Sequence, residues 1–86
     1  MKFTVSWTAQ AEESLVRSWL GARDRISIDE AVAVIEHELA TNPTNAGESR
    51  FGNFRVMTVE PISVVFSVWP DDRLVKVVQI TKRSSR

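Results

Sequence analysis

The alternation of apolar and polar positions changes period along the chain and divides it into segments. Phe3, Val5 and Trp7 alternate with polar residues, which predicts a half-buried strand over Phe3–Trp7. Thr8 is placed to cap a helix, because its hydroxyl can accept from an orphan backbone N–H. That helix runs from Ala9 to about Ala22. Ala11, Leu15, Ser18 or Trp19, and Ala22 lie on one side, and Glu12 and Glu13 sit at the positive end of its dipole. Gly21–Arg25 breaks the pattern. Ser27 and Glu30 match a capping box, which predicts a second helix from Ile28 to about Ala40. Its stripe is Ile28, Ala31, Val32, Ile35 and Leu39.

Thr41–Ser49 is polar and turn-rich, longer than the usual connection of about 4–6 residues. Three strands follow, over Phe54–Val59, Ile62–Trp69 and Leu74–Thr81. They are separated by Glu60-Pro61 and by Pro70-Asp71-Asp72-Arg73. The middle strand is the most apolar and is expected at the centre, with Val64, Phe66 and Val68 facing the helices. Short turns imply antiparallel hairpins. The fold class is therefore α+β in the order β-α-α-β-β-β. A helical hairpin packs on one face of a mainly antiparallel sheet, and the other face stays open. Trp7 and Trp19 match apolar stripes and are expected in the core. Trp69 faces away from the Val64 set and is expected in solvent. Met57 and Val59 are expected on the open face, and a partner segment is expected to cover that face or an apolar groove beside the helices. The basic tail, Lys82–Arg86, is expected to fray.

With 86 residues the chain makes one domain, 1–86. A domain this size buries only roughly 60–65% of its unfolded surface, so a partner can add much to its stability. Hydrophobic residues at 43% and charged residues at 26% exclude a disordered chain. There are no cysteines, which excludes disulfides, cysteine zinc sites and a cysteine nucleophile. The first residues lack the apolar core of a signal peptide, and no apolar run is long enough to span a membrane. These features point to the cytoplasm, with no cofactor and no metal. The net charge is zero but unevenly divided. Residues 1–49 carry four basic and eight acidic side chains, and residues 50–86 carry seven basic and three acidic. An acidic helical surface is therefore expected opposite a basic region at the sheet, with contributions from Arg50, Arg55, Lys82 and Arg83.

The order of elements, at this length, resembles the RelE/ParE superfamily of type II toxin–antitoxin toxins. The resemblance is carried by Phe3–Glu12, by Asn42-Pro43 with Gly47-Glu48-Ser49-Arg50, and by Phe54-Arg55-Val56. It continues through Val64–Val68, Asp71–Val77 and Ile80-Thr81-Lys82-Arg83. It covers nearly the whole chain and implies a cognate antitoxin as partner. It also implies an activity, with RelE-like inhibition of translation by ribosome-dependent mRNA cleavage as the leading expectation and a non-nuclease form as the alternative. RelE-like toxins cut messenger RNA in the ribosome, and ParE-like toxins poison DNA gyrase without cutting nucleic acid. A degenerate domain that only binds a partner would be a further non-enzymatic form.

Metal-free RNA cleavage needs a base for the 2′-OH, cations for the phosphorane and an acid for the leaving oxygen. The resemblance assigns such roles to Arg55, Arg83 and Glu48, with Arg50, Lys82 and Trp69 as RNA contacts. The sequence also departs from the RNA-cutting pattern. Val64 stands where those relatives carry an arginine, Met57 where some carry a lysine, and the chain has no tyrosine. His37 falls near the polar border of the second helix, and Asp71 and Asp72 belong to a turn. Pairing through the turns places Arg55 level with Val77. Arg83 would then lie roughly 20 Å further along the sheet at ~3.3 Å per residue, which separates the two arginines unless the tail folds back over the sheet.

Overall fold

The computed structural model describes residues 2–50 and 52–82. Strand β1 is Thr4–Trp7, helix α1 is Ala9–Leu20 and helix α2 is Arg25–Thr41. Strands β2, β3, β4 and β5 are Glu48–Ser49, Phe54–Val59, Ile62–Trp69 and Leu74–Lys82. Short 3-10 turns at Pro43–Asn45 and Pro70–Asp72 link α2 to β2 and β4 to β5. The sheet order is β1-β5-β4-β3-β2. β1 pairs with β5 in parallel and the remaining pairs are antiparallel. The expected architecture is therefore present, with β4 central and one more strand than the pattern showed. β2 is only two residues long, too short for alternation to register.

Helix α1 begins as expected. Thr8 Oγ1 accepts from the Ala11 N–H at 3.1 Å. Helix α2 begins three residues before Ile28. Its cap is Asp24, whose carboxylate accepts from the Ser27 N–H at 3.0 Å and from the Ser27 hydroxyl at 2.6 Å. These bonds hold the Asp24 carboxyl below the usual carboxylate range. Ser27 thus serves inside the first turn as the cap's partner. Arg25 closes the hairpin. Its guanidinium donates to the Trp19 and Leu20 carbonyls at 3.1 and 3.0 Å and stacks 4.5 Å from the Trp19 ring. It satisfies the carbonyls that end α1 and fixes the turn between the helices.

The core lies between the hairpin and one sheet face. Ala11, Ile28, Ala31, Ile35 and Leu39 are buried from the helices. Ile62, Val64, Phe66, Val75, Val77 and Ile80 are buried from the sheet. Val64 and Phe66 face the helices as expected, and Val68 packs against the core but stays partly exposed. Val65 pairs with Gln79 while Phe66 pairs with Val77, so Val78 is an extra residue on β5. This bulge explains why Val75, Val77 and Ile80 are all buried although strict alternation would choose Gln79.

Two core expectations are corrected. Trp7 packs against the core and stays partly exposed, whereas Trp19 sits half-buried at the hairpin's rim; their indole N–H groups donate to Glu36 and Asp29 on α2 at 3.1 and 3.0 Å. An indole N–H needs an acceptor, which favours the rim over a dry interior. Met57 and Val59 pair with Val64 and Ile62 and pack against the core, so they occupy the helix-facing side of the sheet. Directly paired residues share a face, and the β3 residues left for the open face have the opposite parity.

Candidate functional site

The register determines what the open face presents. β3 contributes Phe54, Val56 and Thr58, and β4 contributes Ser63, Val65, Ser67 and Trp69. β5 contributes Leu74, Lys76, Gln79 and Thr81. Glu48 joins them from β2, opposite Val56. The face therefore has an apolar row, Val56 and Val65, and an aromatic end at Trp69. Trp69 is 43% exposed. Its indole N–H donates to Ser67 Oγ at 3.0 Å, and Lys76 Nζ lies 5.4 Å from its ring centroid. Trp69 shields Ser67, which is the buried polar side chain of this face. Toward the other end of β4, the Thr58 and Ser63 hydroxyls are 2.6 Å apart.

The residues singled out in the sequence do not come together. Trp69 is exposed as expected, and Glu48 is exposed on the same face. Arg55 pairs with Phe66, which pairs with Val77, as the turn-based register required. That register also turns Arg55 toward the helix side. Its Nε donates to the Ala46 carbonyl at 2.9 Å and its Nη2 to the Gly47 carbonyl at 3.3 Å. The guanidinium thus ties the loop before β2 to β3. Gly47 completes the junction, with φ at 64° and its backbone packed so closely that a Cβ would lie 2.1 Å from the Val56 carbonyl oxygen.

Lys82 is exposed and pairs with Ile62. Phe66 is four residue steps beyond Ile62, so Lys82 and Arg55 are about 13 Å apart along the strands and two strands apart across the sheet. Arg50 is exposed, and its N–H bonds the Phe54 carbonyl at 3.0 Å. Arg83 lies outside the described residues. The basic region expected at the sheet is therefore dispersed among the described residues, with Arg55 committed to loop carbonyls. The helices do present an acidic exterior, through exposed Glu12, Glu13, Asp29, Glu30 and Glu36. His37 is exposed, and its carbonyl accepts from the Thr41 hydroxyl.

Lys76, Ser67 and Phe54 were not singled out by sequence. Ser67 shares parity with Trp69 on β4, whereas Phe54 and Lys76 join it only through the β3–β4 and β4–β5 pairings. Among the described residues no cluster of three or more His, Asp or Glu is placed to hold a metal ion. Among the described residues no helix is long and apolar enough to cross a membrane.

No family model matches the chain, and no curated protein matches it by sequence. Solved structures do. One comes from the RelBE2 toxin–antitoxin complex of Mycobacterium tuberculosis, with a TM-score of 0.80, 15% identity, and coverage of 99% of this chain and 95% of that one. Another is from the chromosomal ParDE system of P. aeruginosa, with a TM-score of 0.73, 18% identity, and coverage of 96% and 98%. The isolated E. coli RelE toxin aligns with a TM-score of 0.67, 11% identity, and coverage of 98% and 87%. These neighbours resemble the chain from end to end and share the layout of two helices on a mixed five-strand sheet, so the protein has the RelE/ParE toxin fold.

Proposed function

We propose that this chain is the toxin of a type II toxin–antitoxin pair. The observation that carries the proposal is the two-way coverage. The chain and its RelBE2 and ParDE neighbours account for nearly all of each other's length. The partner is a cognate antitoxin. The row of Val56 and Val65 on the open face, ending at Trp69, supports binding of a partner segment there.

The target reading favoured here is non-nucleolytic, as in a ParE-like block of DNA gyrase. Arg55 supports it, because the guanidinium that would meet an RNA phosphate is engaged with Ala46 and Gly47. Glu48 supports it as well, because it lies on the opposite face of the sheet from Arg55. Ribosome-dependent mRNA cleavage is the second reading. It is favoured by the exposed Glu48 and Trp69 on one open face, and it would require Arg55 to leave its loop carbonyls.

Regulated expression in bacteria separates the two. Growth arrest with relaxed plasmid DNA and unbroken transcripts supports the gyrase-type reading. Arrest with fresh mRNA ends within codons supports the nuclease reading. Normal growth with folded protein present would reject both.

A further inference from the structure

Helix α1 carries a second apolar stripe on the side away from the sheet. Its core side is Ala11 and Leu15. The opposite side presents Ala9, Val16 and Leu20, with Val16 55% and Leu20 60% exposed. These residues, with Glu12, Glu13 and Arg17, line a shallow hollow of about 480 Å³. Val16 also borders a second hollow toward α2, formed with Leu15, Trp19, Asp29 and Val32. The apolar shelf is therefore continuous across α1.

Charge identifies what fits it. Glu13 and Arg17 are four residues apart and share one flank of the stripe. Neither side chain has an ion-pair partner among the described residues. We propose that the shelf is the interface of a symmetric dimer, in which α1 packs antiparallel against α1 of a second copy.

A two-fold axis normal to the helix pair keeps each flank on its own side, so the Glu13/Arg17 flanks of the two copies meet. With the axis level with Ser14–Leu15, Glu13 of one copy reaches Arg17 of the other, and the reverse contact forms by symmetry. The same register sets Leu20 over the small Ala9 of the second copy and brings the two Val16 side chains to the centre. A uniformly basic partner helix would match Glu13 but would oppose Arg17. A second copy matches both. The sheet's open face lies on the far side of each protomer and stays available for other partners. One helix pair buries less than the roughly 1,200 Å² of a standard interface, so the dimer is weak and concentration-dependent.

Sedimentation velocity across about 5 to 500 µM tests this, since the range spans the affinities expected of a small interface. The full chain should pass from monomer to dimer. Glu13→Arg and Arg17→Glu should each weaken association by about tenfold or more, because attraction becomes repulsion at both symmetric contacts. Mixing the two variants should restore a heterodimer. Leu20→Ser should remain monomeric, and circular dichroism should show all three variants folded, since the substituted side chains are exposed. A wild type that stays monomeric throughout would overturn the proposal and leave the shelf to a different protein. So would charge variants that dimerise like the wild type, or a mixture that fails to recover association.

Discussion

Arg55→Ala tests whether this arginine is a structural tie. The guanidinium makes one well-formed bond, 2.9 Å to the Ala46 carbonyl, and one long bond, 3.3 Å to the Gly47 carbonyl. A charged hydrogen bond contributes about 1.5–3 kcal/mol, and partial exposure argues for the lower end. Ala46 is 5% exposed, so truncation also leaves its carbonyl poorly solvated. Loss of the packed side-chain stem adds to this. The expected cost is about 2 kcal/mol. At ~4–8 °C per kcal/mol for a domain of this size, melting should fall by about 8–16 °C. Arg55→Lys should recover only part of the loss, because an ammonium lacks the planar fork that spans two adjacent carbonyls. Urea titration, thermal melting and hydrogen exchange at the Arg50 N–H, which bonds the Phe54 carbonyl, give independent readings. A folded Arg55→Ala variant that melts within about 2 °C of wild type, with Arg50 still protected, would refute the tie. It would return Arg55 to the pool of groups available for RNA.

Three other substitutions probe the scaffold. Phe66→Ala removes a fully buried ring beside the β5 bulge. It should cost about 3–5 kcal/mol in urea unfolding, enough to leave so small a domain largely unfolded. Gly47→Ala places a Cβ 2.1 Å from the Val56 carbonyl oxygen at a φ of 64°. It should release β2 from β3 and abolish exchange protection of the Arg50 N–H while the central strands stay protected. Asp24→Ala tests the α2 cap through pH. The folded Asp24 carboxyl titrates below its ordinary 3.8, so its contribution is fully present above that value and is lost as pH falls through the lowered folded pKa. The melting difference between wild type and Asp24→Ala should be largest near neutrality and shrink toward pH 2. A difference that grew on acidification would reverse the assignment.

The periodicities of the helices and the three long strands were legible because each buries a continuous apolar face. Pairing through the two turns also placed Arg55 level with Val77. The errors concern which side a residue takes and what local polar groups compete for it. Met57 and Val59 were given to the open face, although pairing with Val64 and Ile62 puts them under the helices. Ser27 looked like a cap because its capping-box spacing is good, yet Asp24 offers a carboxylate to the same serine one turn earlier. Trp19 fits an apolar stripe, but its N–H drew it to the Asp29 carboxylate at the rim. β2 is too short to carry a period. The Trp69–Lys76–Ser67 grouping depends on pairing between strands, which no single-strand pattern contains.

The role proposed for this chain is that of a toxin held in check by a protein partner. The direct measurement is growth of bacteria after induction of the chain, alone and together with the product of the adjacent open reading frame. Phe66→Ala, whose core is disrupted, serves as the folding control. Wild type should arrest growth, Phe66→Ala should not, and the neighbouring product should restore growth and co-purify with the chain. Unimpaired growth while soluble, folded wild-type protein accumulates would contradict it.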